Sequence, residues 1–254
     1  AGSKAQAERV VSQLDFPCII ESVVVEKGDG LEAAARKARY SALEKVATER
    51  GAVAVLLGHT KDDQAETVLL GLARGSGARS LSGMASVNGI YVRPFLEITR
   101  KETEATCQEL GLQPWQDPHN EDLSFMRVRV RKKVLPMLES ELGPGISDAL
   151  TRSAQLLRDD ADALDQLARA FWEEDQSLEV GALLKLSKAV RTRVLRIALL
   201  QAIRESGNYG TAHLSSEQVS QEEALVSNWK GQGEVSLPAG VKVSRISGRL
   251  TLSN

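Results

Sequence analysis

A five-residue apolar run, Val53-Ala54-Val55-Leu56-Leu57, stops at Gly58 and passes directly into a helical pattern. The run is too short to favour a helix, and its unbroken apolar character is that of a parallel strand buried on both faces. A strand that ends in a glycine turn and feeds a helix commits this part of the chain to an α/β arrangement. The flanking sequence repeats the alternation. Ala7, Val10, Val11 and Leu14 recur at helical spacing, and residues 17–25 read as a second buried strand. After Gly28-Asp29-Gly30, one helix face is marked by Leu31, Ala35, Ala38, Ala42 and Val46, and the helix ends near Gly51. Residues 90–95 read as a further strand and residues 99–110 as a helix closed by Gly111, with Thr99 and Glu102 at capping-box spacing. The predicted fold class is α/β, with a doubly wound and mostly parallel sheet.

The character changes after Asp117-Pro118. Ile146, Ala149, Leu150, Ser153, Leu157, Leu164, Leu167 and Phe171 follow one helical stripe through a segment free of Gly and Pro. A second helix is expected over residues 187–206. Short strands follow at 234–237, 241–246 and 250–252, around the turns Pro238-Ala239-Gly240 and Ser247-Gly248. Helices followed by a small hairpin sheet indicate a separate α+β domain. We place the boundary in Gly143-Pro144-Gly145. Residues 1–143 then form the first domain, and residues 144–254 form a long connecting helix and a smaller second domain.

Composition narrows the class. With 42% apolar and 26% charged residues among 254, the chain is ordinary for a soluble protein and long enough for one or two cores. No apolar run approaches the roughly 18 residues of a membrane span, and the polar first residues show no signal peptide. Cys18 and Cys107 form no Cys-x-x-Cys pair and fall in apolar-periodic segments, which predicts buried thiols in a reducing compartment. A net charge of −2 supplies no general attraction for a polyanion, so a nucleic-acid partner would need a local basic patch. Residues 123–133 qualify, with Arg127, Arg129, Arg131, Lys132 and Lys133 and no acid, although a solvated helix face has the same composition.

Ligands of open α/β sheets collect outside the carboxyl ends of the strands, which is where His59, Asp62, Asp63 and Glu66 fall. On the helix that follows, Ala65, Val68, Leu69, Leu72 and Ala73 form a core-facing stripe; Asp63 points nearly opposite it and Glu66 flanks it. Being three apart, Asp63 and Glu66 share a surface. Two carboxylates beside a histidine can hold Mg²⁺ or act as general bases. A structural role satisfies the spacing equally, with Thr60 capping the helix and the acids complementing its macrodipole. The Gly-x-Gly of Arg74-Gly75-Ser76-Gly77 is, alone, what many helix ends show. If residues 125–137 are helical, Arg127 and Arg131 share a face and Arg129 lies roughly opposite. One or two of them are then functional, and one makes a structural ion pair. His119 and His213 have no supporting constellation and are read as surface or locally satisfied. Trp115, Trp172 and Trp229 are read as core or interface residues.

Joined together, His59-x-x-Asp62-Asp63-x-x-Glu66-Thr67 and Arg74-Gly75-Ser76-Gly77 resemble the hallmark of tRNA(Ile)-lysidine synthetases, members of the ATP pyrophosphatase group with an adenine nucleotide alpha-hydrolase-like fold. Other pieces match in order: Ala35-Arg36-x-x-Arg39-Tyr40, then Arg93-Pro94-Phe95 with Arg100. Asp117-Pro118-His119-Asn120, Phe125-x-Arg127-x-Arg129-x-Arg131 and Leu135-Pro136 follow. The resemblance implies a cytoplasmic ligase that adenylylates the wobble cytidine, position 34, of a tRNA(Ile) with a CAU anticodon. L-lysine then displaces AMP from C2. ATP and Mg²⁺ are the implied cofactors and a homodimer the implied assembly. It further implies Asp63, Glu66 and Arg127 as catalytic residues, Asp63 at Mg²⁺ and Glu66 as the leading base. His59, Arg74, Gly75, Gly77 and Arg131 are implied at the nucleotide.

One departure stands out. The family's Ser-Gly-Gly-x-Asp-Ser phosphate loop, expected before the first helix, does not occur in this sequence. Its backbone N–H groups would cradle the phosphates, so the expectation is a chain that represents part of a complete enzyme. Two other readings stay open. A tRNA thiolase of the same group would use paired cysteines, and a non-catalytic derivative would keep tRNA affinity without ATP turnover.

Overall fold

The computed structural model describes residues 2–14, 16–25, 31–75, 77–206 and 215–253. Residues 1–158 and 159–254 form two compact units.

In the first unit, α1 (Gly2–Val11) and α2 (Leu31–Glu49) precede β1 (Val55–Leu56) and α3 (Lys61–Ala73). The short α4 (Ala78–Leu81), β2 (Val87–Asn88), β3 (Tyr91–Val92) and α5 (Arg100–Glu109) follow. The sheet order is β1-β3-β2, with β1 parallel to β3 and β2 antiparallel to it. A strand, helix and parallel strand are thus present as expected, and α3 leaves from the carboxyl end of β1.

Several details differ from the sequence reading. Residues 17–25 form no strand, and Ile19, Ile20, Val23 and Val24 are exposed. A strand buried on both faces needs neighbours on its ladder, and this run pairs with no described strand. Cys18 is accordingly exposed rather than buried, and Cys107 is only partly covered. Within residues 53–57 only Leu57 is buried, while Leu56 is 69% exposed, so β1 covers one face and not two. The strand expected over residues 90–95 contracts to Tyr91–Val92, because Pro94 has no N–H for a ladder. β2 was not anticipated, yet its signal is present: Gly89 opens the two-residue hairpin turn Gly89-Ile90 between Asn88 and Tyr91, and takes φ +59°. The α5 capping box forms as predicted, with Thr99 N and Oγ1 donating to Glu102 at 2.7 and 2.6 Å.

The basic segment is helical with an interruption. α6 (Met126–Arg129) passes into a π-helical turn, Val130–Val134, before α7 (Leu135–Glu141). Pro136 lacks the N–H that would bond to the carbonyl of residue 132, and Leu135 N bonds instead five residues back to Val130 O. Ala65, Val130 and Leu135 pack together and seat this segment against α3.

The long α8 (Ile146–Glu174) has the expected extent. The second unit adds α9 (Val180–Lys185), α10 (Lys188–Glu205), α11 (Ser216–Ser227) and an antiparallel sheet of β4 (Val235–Ser236), β5 (Lys242–Ile246) and β6 (Arg249–Ser253). Leu183, Val194, Leu195, Leu199, Leu225, Val241 and Val243 fill its core, with Trp172 packed on it. Trp115 and Trp229 stand partly exposed, the latter beneath the Arg245 guanidinium. His213 lies outside the described residues.

Two adjacent glutamates on α11 meet opposite environments. Glu223 is buried against Arg191, whose Nε and Nη2 donate to its Oε1 at 3.0 and 2.6 Å, and Ser227 donates to the other oxygen. Glu222 is fully buried, and neither carboxyl oxygen has a hydrogen-bond partner. Desolvation pushes its pKa up to about 8.

Candidate active site

The site is built on the first turn of α3. Leu57 N bonds to Val92 O at 2.8 Å, so the strand ends there and Gly58 turns the chain into the helix. Thr60 is the N-cap. Its N and Oγ1 both donate to Asp63 Oδ2 at 2.9 Å, while Asp63 N donates to Thr60 Oγ1. The structural reading of Thr60 and Asp63 therefore holds, and Asp63 still presents Oδ1 to the site.

The buried face of α3 is Gln64, Ala65, Glu66, Val68 and Gly71, with Leu72 60% exposed. This rotates the predicted stripe and places Glu66 at its centre rather than on its flank. Glu66 is fully buried. Arg127 Nε donates to its Oε2 at 2.7 Å, Arg131 Nε to its Oε1 at 2.6 Å, and Arg100 Nη2 approaches at 3.7 Å. The same guanidinium groups face Asp63 Oδ1: Arg127 and Arg100 at 3.4 Å and Arg131 at 3.9 Å. Arg127 and Arg131 do share a face. Arg129 makes no ion pair of the kind expected; its Nη1 donates to the carbonyls of Leu123 and Ser124, closing the loop before α6.

These contacts set the protonation states. Burial by itself would raise the Asp63 pKa, but hydrogen bonds from Thr60 and the charges of Arg127 and Arg100 hold it below the ordinary carboxylate range. Burial lowers the pKa of His59; Asp63 opposes this, and Arg93, Arg127 and Arg39 add to it. The imidazole is therefore neutral at pH 7, and its buried Nδ1 has no hydrogen-bond partner.

A pocket of about 300 Å³ opens here, lined by Arg36, Arg39, Gly58, His59, Asp63 and Arg127. More guanidinium than carboxylate surrounds it, which suits a polyanionic ligand. Arg36 and Arg39 come from α2, and Arg100 from the N-terminus of α5. The sequence placed all three in matching segments but gave none a role. The signal was available as an Arg-x-x-Arg pair on one helix face.

The structure does not bring every candidate together. Arg74, Gly75 and Gly77 lie beyond the far end of α3, which over 13 residues at 1.5 Å each spans about 20 Å. Arg74 caps that end, Gly75 takes φ +64° and Gly77 starts α4. His119 is exposed and satisfied by Asp117 at 2.9 Å. Among the described residues, no group of three or more His, Cys, Asp or Glu side chains is placed to hold a metal ion.

One residue of the motif was overlooked. Gln64 is buried and clamps the turn before β2: its Nε2 donates to Met84 O at 2.9 Å and its Oε1 accepts from Met84 N at 2.6 Å. Gly83 permits this, with φ +62° and no side chain; a Cβ would stand 2.6 Å from Gln64 Oε1. Gly83→Ala is expected to cost about 1–2 kcal/mol for the left-handed backbone, and further stability as the clamp opens. Urea unfolding measures it.

A strand–turn–helix site with a guanidinium-lined pocket is that of an anion-binding α/β protein. Residues 2–138 match the PP-loop domain, and residues 178–251 match the TilS substrate binding domain. The tRNA(Ile)-lysidine synthase of Streptomyces coelicolor is 48% identical over 263 residues, covering 99% of this chain and 73% of that protein. That of Thermobifida fusca is 49% identical, covering 99% and 79%, and that of Mycobacterium tuberculosis is 43% identical, covering 96% and 76%. The chain belongs to the tRNA(Ile)-lysidine synthase family.

Proposed function

We propose that this protein ligates L-lysine to C2 of the wobble cytidine of a tRNA(Ile) with a CAU anticodon, using ATP, to give lysidine. The observation that carries the reading is the Asp63–Glu66 pair held among Arg100, Arg127 and Arg131, with Asp63 and His59 lining an arginine-rich pocket. Family membership supports it over a thiolase, and so does the lack of a Cys-x-x-Cys pair.

ATP supplies the activated cytidine by adenylylating its O2. The pocket fits the nucleotide's charge: Arg36, Arg39 and Arg127 are placed to hold phosphate oxygens and to stabilise negative charge that builds at the α-phosphate. Mg²⁺ needs only one or two protein carboxylates beside substrate phosphates, and Asp63 is the carboxylate that lines the pocket. Arg74, Gly75 and Gly77 stay outside this assignment. Glu66 orients Arg127 and Arg131. Both its oxygens are engaged by guanidinium donors, so taking a proton would mean displacing one of them. His59, a neutral imidazole that lines the pocket, is then the group placed to take the proton that the lysine ammonium must lose before attack.

Residues 1–143 form the catalytic part in this reading. Residues 144–254 form the connecting helix and the tRNA-binding part. No helix among the described residues is long and apolar enough to cross a membrane. A cytoplasmic homodimer on a doubly wound, mostly parallel sheet completes the reading.

Incorporation of labelled lysine into a CAU tRNA(Ile) transcript, dependent on ATP and Mg²⁺, tests the function. Absence of lysine transfer with tRNA binding intact would favour the non-catalytic derivative. Arg127→Ala is expected to slow adenylylation about 10²- to 10³-fold with little loss of tRNA affinity, as removal of a transition-state charge contact does. Pyrophosphate release and filter binding separate the two effects.

A further inference from the structure

Asp62 adjoins Asp63 in sequence but does not line the pocket at His59. Its partner lies 38 residues away, where its Oδ2 accepts the backbone N–H of Arg100 at 2.7 Å. Arg100 is the first residue of α5, and the first N–H groups of a helix have no carbonyl of their own helix to meet. The capping box satisfies Glu102 N through Thr99 Oγ1, and Asp62 satisfies Arg100 N. A second bond runs the other way. Lys61 N, at the start of α3, donates to Ile98 O at 2.9 Å. The first turns of α3 and α5 are therefore tied to each other by two hydrogen bonds.

Charge favours a carboxylate in this place. A cation at the start of a helix opposes the macrodipole, and Arg100 brings one to the start of α5. Asp62 sets a negative charge against both. From this anchored backbone the Arg100 side chain reaches the site, with Nη2 3.4 Å from Asp63 Oδ1 and 3.7 Å from Glu66 Oε1. Arg127 and Arg131 hold Glu66 more closely, at 2.7 and 2.6 Å. The looser contacts of Arg100 leave its place to be set by the backbone that carries it.

We propose that Asp62 is a positioning residue, which fixes the backbone of Arg100 so that its guanidinium completes the cation set around Asp63 and Glu66. The assignment rests on the lysine-ligase reading above, in which Arg100 belongs to the charged cluster at the site. The two adjacent acids then have different duties: Asp63 faces the pocket, and Asp62 acts only through Arg100.

A double-mutant cycle of Asp62→Ala and Arg100→Ala tests this, read as pyrophosphate release on a CAU tRNA(Ile) transcript and as urea unfolding midpoints. Each single change is expected to slow release about 10- to 100-fold, the range of a hydrogen bond to a charged group. The double variant should be no slower than Arg100→Ala. The stability lost in Asp62→Ala should instead be the same in both backgrounds, because alanine at position 100 keeps the N–H that Asp62 holds. Asp62→Asn keeps an oxygen for that N–H and should lose only about two- to fivefold in rate, the worth of a charge at a helix N-terminus. Rate losses that multiply in the double variant, or an Asp62→Asn as slow as Asp62→Ala, overturn the assignment and leave the lysine-ligase reading in place. A wild type that neither releases pyrophosphate nor transfers lysine overturns the two together.

Discussion

Replacing Glu66 by glutamine should collapse lysidine synthesis at every pH, and Glu66→Ala should also cost the fold about 3–5 kcal/mol, the usual result of breaking a buried ion pair. Glu66 is fully buried and is the counter-charge for Arg127 and Arg131, with Arg100 close by. Without it, the guanidinium groups repel one another and leave the pocket. The intact fold that a simple base would predict for such a variant is therefore not expected. The pH profile distinguishes the two roles. If a proton acceptor is lost, raising the pH toward the lysine ammonium pKa of about 10.4 restores rate, because hydroxide removes the proton instead. His59→Ala should show that rescue and Glu66→Gln should not. Rescue of Glu66→Gln at high pH would return the role of base to Glu66.

The second large effect is in the other unit. Glu222→Gln should raise stability at pH 8.5 by about 4–5 kcal/mol over the wild type, and the gain should vanish near pH 4. The Glu222 pKa is about 8 in the fold against an ordinary 4.5. Between those values the native state holds a proton that the unfolded chain has released, so wild-type stability falls as pH rises from about 4.5 to about 8 and levels off beyond. Glutamine keeps the shape and cannot ionise, which removes that slope. Denaturant midpoints from pH 4 to 9 would show it, and parallel slopes in the two proteins would mean that Glu222 gains a partner in solution. Glu223, one residue away, is expected to behave oppositely, since Arg191 and Ser227 hold its pKa below the ordinary range despite burial.

Local rules carried much of this in advance. The strand–glycine–helix passage at 53–61, the cap at Thr60, the capping box at Thr99, the long α8, α10 and the β5–β6 hairpin depend on neighbours in sequence, and each appears close to where it was expected. The spacing of Arg127 and Arg131 also placed them on one face, and the π turn at Pro136 did not disturb it. The chemistry was legible as residue types: a histidine, two carboxylates and a basic run.

Partners remote in sequence are what periodicity does not encode. The burial of Glu66 depends on a segment more than sixty residues away folding back on α3, and this turns a candidate base into the anchor of an arginine cluster. The exposure of residues 17–25 depends on which strands lie beside them, not on their own apolar content. The unpaired Glu222 is likewise a product of packing, since an orphaned donor or acceptor exists only once neighbours have excluded water. The sequence by itself determined the helices, caps, turns and reactive groups, because those follow from local sterics and hydrogen bonding. Tertiary structure alone decided which carboxylate meets a guanidinium, which stands unpartnered, and hence which group is free to take a proton.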